Sequence, residues 1–226
     1  MKKSSLKNFL TVLYYTSNKE NPNFENNVIE NLRKVCGDLP IVSVSQKPID
    51  LGKNICVGDD VGVTGFNVCR QSLIACEEAT TPFVVTAEAD CLYPPDYFQF
   101  VPDKKDKCYR NTNLYVVGFK RDYFWRKLEG ALHSQVIGRE FYIKRLKELF
   151  EGQPMWSKEM KNFPKEIKKP LFEEDAFEYY KTKDPVVQIK TKEAMRFHTN
   201  SERIQINNIP YWGNGKEFKE KYYETN

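Results

Sequence analysis

Apolar residues in the first hundred positions fall into short runs and longer helical repeats. The short runs are rich in β-branched and aromatic residues, as buried strands are. Between them, apolar residues recur every three or four positions, which predicts helices, and a glycine-rich stretch over 51–66 predicts a loop. The predicted strands cover 9–15, 41–45 and 83–87, and the predicted helices cover 24–35, ended by Gly37, and 67–80, ended by Thr81-Pro82.

The second half is less regular. Two further apolar runs predict strands, and several stretches carry helical spacing. A lysine- and proline-containing stretch predicts a long loop. The strands are predicted at 114–119 and 186–190, the helices at about 121–131, 139–150, 174–181 and 216–223, and the loop at 151–170.

Strands that alternate with helices predict a single α/β domain with a mostly parallel central sheet flanked by helices. In such sheets ligands bind at the carboxyl ends of the strands. The residues that follow the first three predicted strands are therefore candidate ligand contacts. They are Thr16 and Ser17, Ser45 and Gln46, and Glu88 to Asp90.

The composition and charge of the chain narrow the class of protein that it can be. The chain of 226 residues has 40% apolar residues, and no run is long enough to span a membrane. Its net charge is +4, but residues 101–170 hold 17 basic against 9 acidic residues. Such a basic stretch favours either a solvated surface or a face for an anionic partner. The basic start of the chain lacks a cleavage site, so we expect a cytoplasmic protein rather than a secreted one.

The six cysteines show no C-x-x-C pair, and only His133 and His198 could complete a zinc site. We expect reduced, buried thiols.

One acidic triplet stands at the end of a predicted strand, where such sheets bind their ligands. Glu88-Ala89-Asp90 directly follows the apolar run FVVTA. Carboxylates placed there could hold a divalent cation that neutralises a phosphorylated ligand, or accept a proton as a base. A surface turn with two acids is the alternative interpretation.

The segment TPFVVTAEADCLYPPDYF resembles the D-x-D region of GT-A glycosyltransferases, and FNVCRQSLIACEEA resembles their donor-side helix. The resemblance implies a GT-A domain over 1–226, with a donor half at about 1–100 and an acceptor half at 101–226. It implies a nucleotide-sugar donor, UDP-sugar above others, with Asn67, Arg70 and Glu88 on the donor side. It also implies Mn²⁺ or Mg²⁺ bound by Asp90.

Further resemblances lie downstream, in the family's order. Gly138 and the neighbouring Arg139 resemble the glycine-containing loop that lines the donor sugar. Phe172-Glu173-Glu174-Asp175 resembles the acidic motif near the acceptor, which implies an inverting enzyme with Asp175 as base and Glu174 in reserve. His198 resembles the histidine that completes the metal site.

The sequence departs from the family after its second strand, where VSVSQKPID replaces the usual acidic motif. Base recognition would then use Ser45, Gln46 and Lys47. The acceptor stays open between a glycan, a glycolipid and DNA carrying a hydroxymethylated base. Two alternative functions are a sugar-phosphate nucleotidyltransferase and a non-catalytic nucleic-acid-binding domain. The first is disfavoured because no glycine-rich phosphate loop follows the first strand.

Overall fold

The structure is a computed structural model that describes residues 6–159, 171–194, 201–202 and 204–224. In this part of the chain, one seven-stranded sheet forms the centre and a four-stranded sheet packs beside it. The larger sheet contains β1 (Leu10–Thr16), β2 (Ile41–Ser45), β3 (Lys53–Cys56), β4 (Phe83–Glu88), β6 (Cys108–Asn111), β9 (Gln135–Gly138) and β10 (Phe177–Tyr180). The smaller sheet contains β5 (Cys91–Leu92), β7 (Leu114–Gly118), β8 (Phe124–Arg126) and β11 (Val186–Lys190).

The helices and a small hairpin complete the described residues. The helices are α1 (Pro22–Cys36), α2 (Gly65–Glu78), α3 (Arg139–Phe150) and α4 (Gly215–Tyr222), and the hairpin joins β12 (Asn208–Ile209) to β13 (Gly213–Asn214). Capping fixes two of the helix starts. The side chain of Asn21 accepts from the N–H groups of Asn23 and Phe24 before α1, and Thr64 accepts from Asn67 N–H before α2. No helix in the described ranges has the length and apolar character needed to cross a membrane.

The larger sheet runs in the order β10-β6-β9-β4-β1-β2-β3. Strands β3, β2, β1 and β4 are parallel, and β6 and β10 pair in parallel beyond them. Only β9, among these strands, is antiparallel to its neighbours β4 and β6. The sheet is therefore mixed but mostly parallel, as the sequence predicts.

Alternate residues of the central strands face two separate cores. Leu13, Val84 and Ile137 lie in one core with α2 and α3. Val12 and Val85 lie in the other, with α1, α4 and the smaller sheet. The central strands are thus buried on both faces, which is why they read as continuous apolar runs in the sequence.

Three local predictions were wrong. The predicted loop over 51–66 contains β3, which pairs with β2. The predicted helix at 121–131 contains β8, which pairs with β7, and Phe124 is fully buried against Phe218. The predicted helix at 174–181 is a short 3-10 turn at Glu174–Ala176 followed by β10. Pairing with the preceding strand, for β3 and β8, or with the distant strand β6, for β10, outweighs the local loop or helical signal.

Candidate functional site

A cleft opens at the carboxyl edge of the larger sheet, between β1 and β4. At this point the strand order reverses, because β2 lies on one side of β1 and β4 lies on the other. The cleft is open to solvent and has a cavity volume of about 100 Å³. The strand order around it is the one in which open α/β sheets bind ligands. Its lining residues are Tyr15, Thr16, Ser17, Glu20, Gln46, Gly62, Val63, Thr64, Asn67, Val68, Gln71, Glu88, Ala89, Asp90, Glu193 and Ala194.

The wall formed by the ends of β1 and β2 is held by one amide. Gln71, buried on α2, donates from Nε2 to the carbonyl oxygens of Thr16 at 2.9 Å and Val44 at 3.2 Å. The hydroxyl of Thr16 accepts from Asn18 N–H at 2.9 Å, which turns the chain out of the strand. The edge of the cleft is therefore rigid where a ligand would contact it.

Gln46 presents an unsatisfied acceptor at the cleft. Its side chain is 2% exposed, and Nε2 donates to the carbonyl of Gly62 at 2.8 Å. Its Oε1 is buried and has no hydrogen-bond partner among the described residues. A buried acceptor without a partner is costly, so a ligand that donates an N–H or O–H group here would gain affinity.

The loop that leads into α2 forms the opposite wall. Asn67 fixes this loop, because its Nδ2 donates to the carbonyls of Val61 at 2.7 Å, Gly62 at 3.0 Å and Ser157 at 2.9 Å. The N–H of Ser157 donates back to Asn67 Oδ1 at 3.0 Å. Asn67 lines the cleft as predicted, but its amide is engaged by the protein itself.

Four carboxylates line the cleft, and among its described lining residues there is no lysine or arginine. Burial chiefly, and then the charge of Asp90, raise the pKa of Glu88 to about 7. Burial also raises the pKa of Glu20 to about 7, with smaller contributions from Asp90 and Glu193. The charges act on each other because the carboxylates line one partly buried cleft.

Asp90 stands at the centre of this acidic wall. Gln188 Nε2 donates to Asp90 Oδ2 at 2.8 Å, and the Cys91 thiol donates to Oδ1 at 3.1 Å. The turn itself is fixed, since Ile189 N–H donates to the Asp90 carbonyl at 2.8 Å. The carboxylate is half-buried and oriented, as a ligand to a hard cation would be.

A second group of donor atoms adjoins the acidic wall. The ligand atoms of Glu88, Cys91 and His133 all lie within 4.8 Å of one another. Cys91 and His133 are buried, and neither lines the cleft.

Most of the strand-end residues predicted from the sequence meet at this cleft. Those that line it are Thr16, Ser17, Gln46, Asn67, Glu88 and Asp90. Three others point elsewhere. Ser45 is fully buried and accepts from Asn54 Nδ2 at 2.9 Å, and Lys47 lines a neighbouring surface groove. Arg70 donates to the carbonyls of Met155 at 3.0 Å and Pro154 at 2.9 Å, with its guanidinium 3.6 Å from the Phe150 ring centre.

Two pairs of predicted site residues require a correction: the donor-sugar contacts Gly138 and Arg139, and the candidate bases Glu174 and Asp175. Gly138 pairs with Phe83 at the amino end of β4, five residues before the cleft. At about 3.3 Å per residue, that is roughly 16 Å away along the strand. Arg139 donates to the carbonyl of Cys76 at this same edge. Glu174 and Asp175 precede β10, whose first residue pairs with Cys108 at the start of β6, so they too lie at the amino edge.

These placements have simple physical causes. A Cβ on Gly138 would lie 1.8 Å from the carbonyl oxygen of Lys105, so glycine is needed for packing. Asp175 is exposed, and its carbonyl accepts from Lys107 Nζ. A base at Asp175 or a donor contact at Gly138 would have to act from the wrong edge of the sheet. His198 lies outside the described residues, so its convergence with Asp90 stays a prediction.

Several residues of the cleft were not found from the sequence. Glu20 and Glu193 supply two of its four acids, and Gln71 holds its wall. Glu20 comes four residues after β1 ends, close enough to the strand end to have been noticed. Glu193 carries no local motif, because tertiary packing alone brings it to the cleft. His133, which does not line the cleft, is brought close to Glu88 and Cys91 in the same way.

No protein-family model matches the chain, and no curated protein matches its sequence. Solved structures with related shape do exist. They include a glycosyltransferase involved in glycosylation of the major capsid of PBCV-1 (TM-score 0.49, 9% identity, 80% of this chain and 93% of that chain). A second is the apo-form glycosyltransferase GlyE of Streptococcus pneumoniae TIGR4 (TM-score 0.47, 10% identity, 76% of this chain and 45% of that chain). A third is S. aureus TarS 1-349 (TM-score 0.46, 12% identity, 80% of this chain and 60% of that chain).

The chain spans less than two thirds of the GlyE and TarS chains that it matches. Two of these three structures are named glycosyltransferases, the class that the sequence resembles. At TM-scores below 0.5 the likenesses carry no argument about activity, which depends on the cleft itself.

Proposed function

We propose that this protein is a metal-dependent glycosyltransferase that binds a nucleoside-diphosphate sugar in the cleft between β1 and β4. The observation that carries the proposal is the composition of that cleft. It combines a buried, unpaired acceptor at Gln46 with an acidic wall around Asp90. A nucleobase with an N–H group suits the first, and a metal–diphosphate suits the second.

The acidic wall requires a cation if the donor is anionic. Carboxylates and a diphosphate repel one another, and the described lining offers no lysine or arginine to offset them. Mg²⁺ and Mn²⁺ are typically held by one or two carboxylates together with substrate phosphates. Asp90 and Glu193 fit that role, with His198 as the predicted third ligand. When bound, the ion would neutralise the charge that develops on the leaving diphosphate.

The protein's own residues would do the rest. Gln46 Oε1 would accept from the imide N–H of uracil, which makes a UDP-sugar the donor we propose. The loop at Gly62 to Asn67, fixed by the Asn67 amide, would cover the nucleotide. Glu20, half-buried in the same cleft, replaces Asp175 as the proposed base for the acceptor hydroxyl.

Calorimetry with UDP and Mn²⁺ tests the donor site. We expect binding that depends on Mn²⁺ and that falls at least about tenfold in Asp90→Asn, because a charged ligand group is lost. Asp38→Asn is the control: Asp38 is exposed and far from Asp90 in the sequence, so this variant should bind UDP and Mn²⁺ like the wild type. UDP methylated at the imide nitrogen should bind about tenfold more weakly than UDP, because Gln46 Oε1 then has no N–H group from which to accept a hydrogen bond. Equal binding of both nucleotides would remove Gln46 from base recognition.

A turnover assay separates the enzyme classes. We expect UDP release from UDP-sugars with Mn²⁺, and loss of about a hundredfold or more in Asp90→Asn. Release of pyrophosphate from UTP and a sugar phosphate, without UDP-sugar turnover, would identify a nucleotidyltransferase instead. The active donor then allows an acceptor screen over glycans, glycolipids and hydroxymethylated DNA. NMR of the product's anomeric centre checks the inversion of configuration that we propose.

A further inference from the structure

Three different donor atoms converge beside the cleft, and two of them belong to residues that do not line it. They are a carboxylate oxygen of Glu88, the sulfur of Cys91 and an imidazole nitrogen of His133, all within 4.8 Å of one another. Cys91 is fully buried and His133 is 5% exposed. Such a group is more specific than a cluster of acids, because its members differ in chemistry and His133 comes from a segment distant in sequence from Glu88 and Cys91.

The backbone around this group is held by one tyrosine. The hydroxyl of Tyr93 accepts from Glu88 N–H at 3.0 Å and donates to the His133 carbonyl at 2.8 Å. Tyr15 donates to Glu88 Oε1 at 3.0 Å, which orients the carboxylate. Two of the three donor residues are thus fixed relative to each other before any ligand arrives, as outer partners of metal ligands usually ensure.

The imidazole of His133 lacks a partner that would explain its burial. None of the hydrogen bonds found among the described residues involves an imidazole nitrogen of His133. An imidazole nitrogen without a protein partner has a lone pair that it can give to a metal ion.

We propose that Glu88, Cys91 and His133 form a binding site for Zn²⁺, separate from the carboxylate site at Asp90. Sulfur, imidazole nitrogen and carboxylate oxygen are the atoms that zinc takes as ligands in proteins. Three protein ligands leave the fourth tetrahedral position open to water or another group. Mg²⁺ prefers oxygen alone, so this site and the cleft at Asp90 would select different ions.

The ion changes the charge of its surroundings in a defined way. Zinc binds the thiolate, so the Cys91 proton would pass to solvent as the Zn–S bond forms. The thiol proton that leaves is the one that Cys91 donates to Asp90 Oδ1 at 3.1 Å, so this hydrogen bond is given up when the ion binds. Glu88 also lines the cleft, so an ion at this site would hold a residue that a nucleotide would otherwise meet.

Cobalt is the probe that reports on the sulfur. We expect Co²⁺ added to the reduced, metal-free protein to give a thiolate-to-cobalt charge-transfer absorption that Zn²⁺ abolishes by displacement. Cys91→Ser should lose this absorption and weaken Zn²⁺ binding at least about a hundredfold, since even outer-shell losses cost up to that much. Cys56→Ser, which alters an exposed cysteine, should keep both.

A second pair of variants tests the geometry without touching a ligand. Tyr93→Phe removes only the hydroxyl that joins Glu88 to His133, and we expect Zn²⁺ affinity to fall about tenfold. Tyr97→Phe is the matched control, because this buried neighbour, with ring centres 4.9 Å apart, donates to the Thr86 carbonyl instead. Equal affinity in the two variants would overturn the role of Tyr93 as a positioning residue.

Other outcomes would overturn the site itself. They are an absence of charge-transfer absorption in the wild type, or its persistence in Cys91→Ser. Loss of the absorption in Asp90→Asn would assign the metal to the cleft instead. If Cys91→Ser does not fold, His133→Gln provides the same test, with the cobalt spectrum shifted and Zn²⁺ affinity reduced. None of these results depends on UDP binding, so this site and the sugar-transfer activity can fail separately.

Discussion

At the scale of the residue, Glu20 is the side chain whose environment differs most from what its sequence position suggests. It follows β1 in a polar stretch, yet it is half-buried and its Oε1 accepts from the Thr191 hydroxyl at 2.8 Å. Burial raises its pKa to about 7, and the Thr191 hydrogen bond lowers it. A carboxylate that titrates near neutral pH and faces a cleft is suited to act as a general base.

We predict that Glu20 sets the pH dependence of turnover. The rate should fall as the pH drops below about 7, because the protonated carboxyl cannot accept a proton. Glu20→Gln should lower kcat about a hundredfold or more and flatten the pH profile. Thr191→Val should shift the rising limb to higher pH, since the charged form loses a hydrogen bond. Glu30→Gln, exposed on α1, serves as the control, and full activity in Glu20→Gln would exclude this base.

At the scale of the element, the segment 154–157 is attached to α2 by two side chains. Asn67 exchanges hydrogen bonds with Ser157, and Arg70 donates to the carbonyls of Pro154 and Met155. The Arg70 guanidinium also stacks over Phe150 at the end of α3. Arg70 therefore joins α2, α3 and this segment, and the family resemblance alone would not have indicated such a role.

We predict that Arg70→Ala lowers the free energy of unfolding by about 1–2 kcal/mol, because the buried Arg70 side chain loses its hydrogen bonds to the carbonyls of Met155 and Pro154 and its packing over Phe150. Urea unfolding followed by circular dichroism measures this change. Arg33→Ala is the control, since its ion pair with Asp50 is exposed and should contribute less than about 0.5 kcal/mol. Unchanged stability with a collapse of UDP affinity would instead restore Arg70 as the donor contact that the sequence resemblance implies.

The elements that the sequence predicts correctly are those whose apolar pattern is set locally. β1, β2, β4 and α1 have continuous runs or helical spacing, so burial leaves a mark in the sequence. β9 and β10 do not, because they are short and depend on partners far along the chain. The same distinction applies to the site residues. Thr16, Gln46 and Asp90 can be predicted because they follow strands that the sequence predicts. Glu193 and His133 cannot, because no spacing rule indicates that they lie near the end of β4.

At the scale of the whole molecule, the acidic cleft makes stability depend on pH in an unusual direction. The pKa of the Glu88 carboxyl rises from 4.5, the ordinary value of a solvated glutamate in the unfolded chain, to about 7 in the fold. Between these values the folded state binds more protons than the unfolded state, so stability falls as the pH rises. The protein thus sacrifices stability at the site where it concentrates charge, a common trade-off at functional sites.

We predict that Glu88→Gln is more stable than the wild type at about pH 8, and that the difference disappears toward about pH 4. The neutral amide keeps an oxygen for the Tyr15 hydroxyl but removes the buried charge. Thermal unfolding in the presence of a chelator measures this difference without interference from metals. Glu30→Gln should show no such pH dependence. A destabilised Glu88→Gln at alkaline pH would mean that attraction between the Glu88 carboxylate and the charges of Lys190 and Lys127 outweighs the cost of its burial.

The antiparallel strand β9 ties the two halves of the chain together. The edge of β4 next to β9 is covered by residues 135–138, which come from the other half of the chain. A fragment that stops at residue 100 would leave that edge bare, and bare edges recruit strands from other molecules. The ligand preference of the cleft therefore cannot be transferred to another protein by exchanging the first hundred residues alone. Any functional chimera would have to carry β9 along with them.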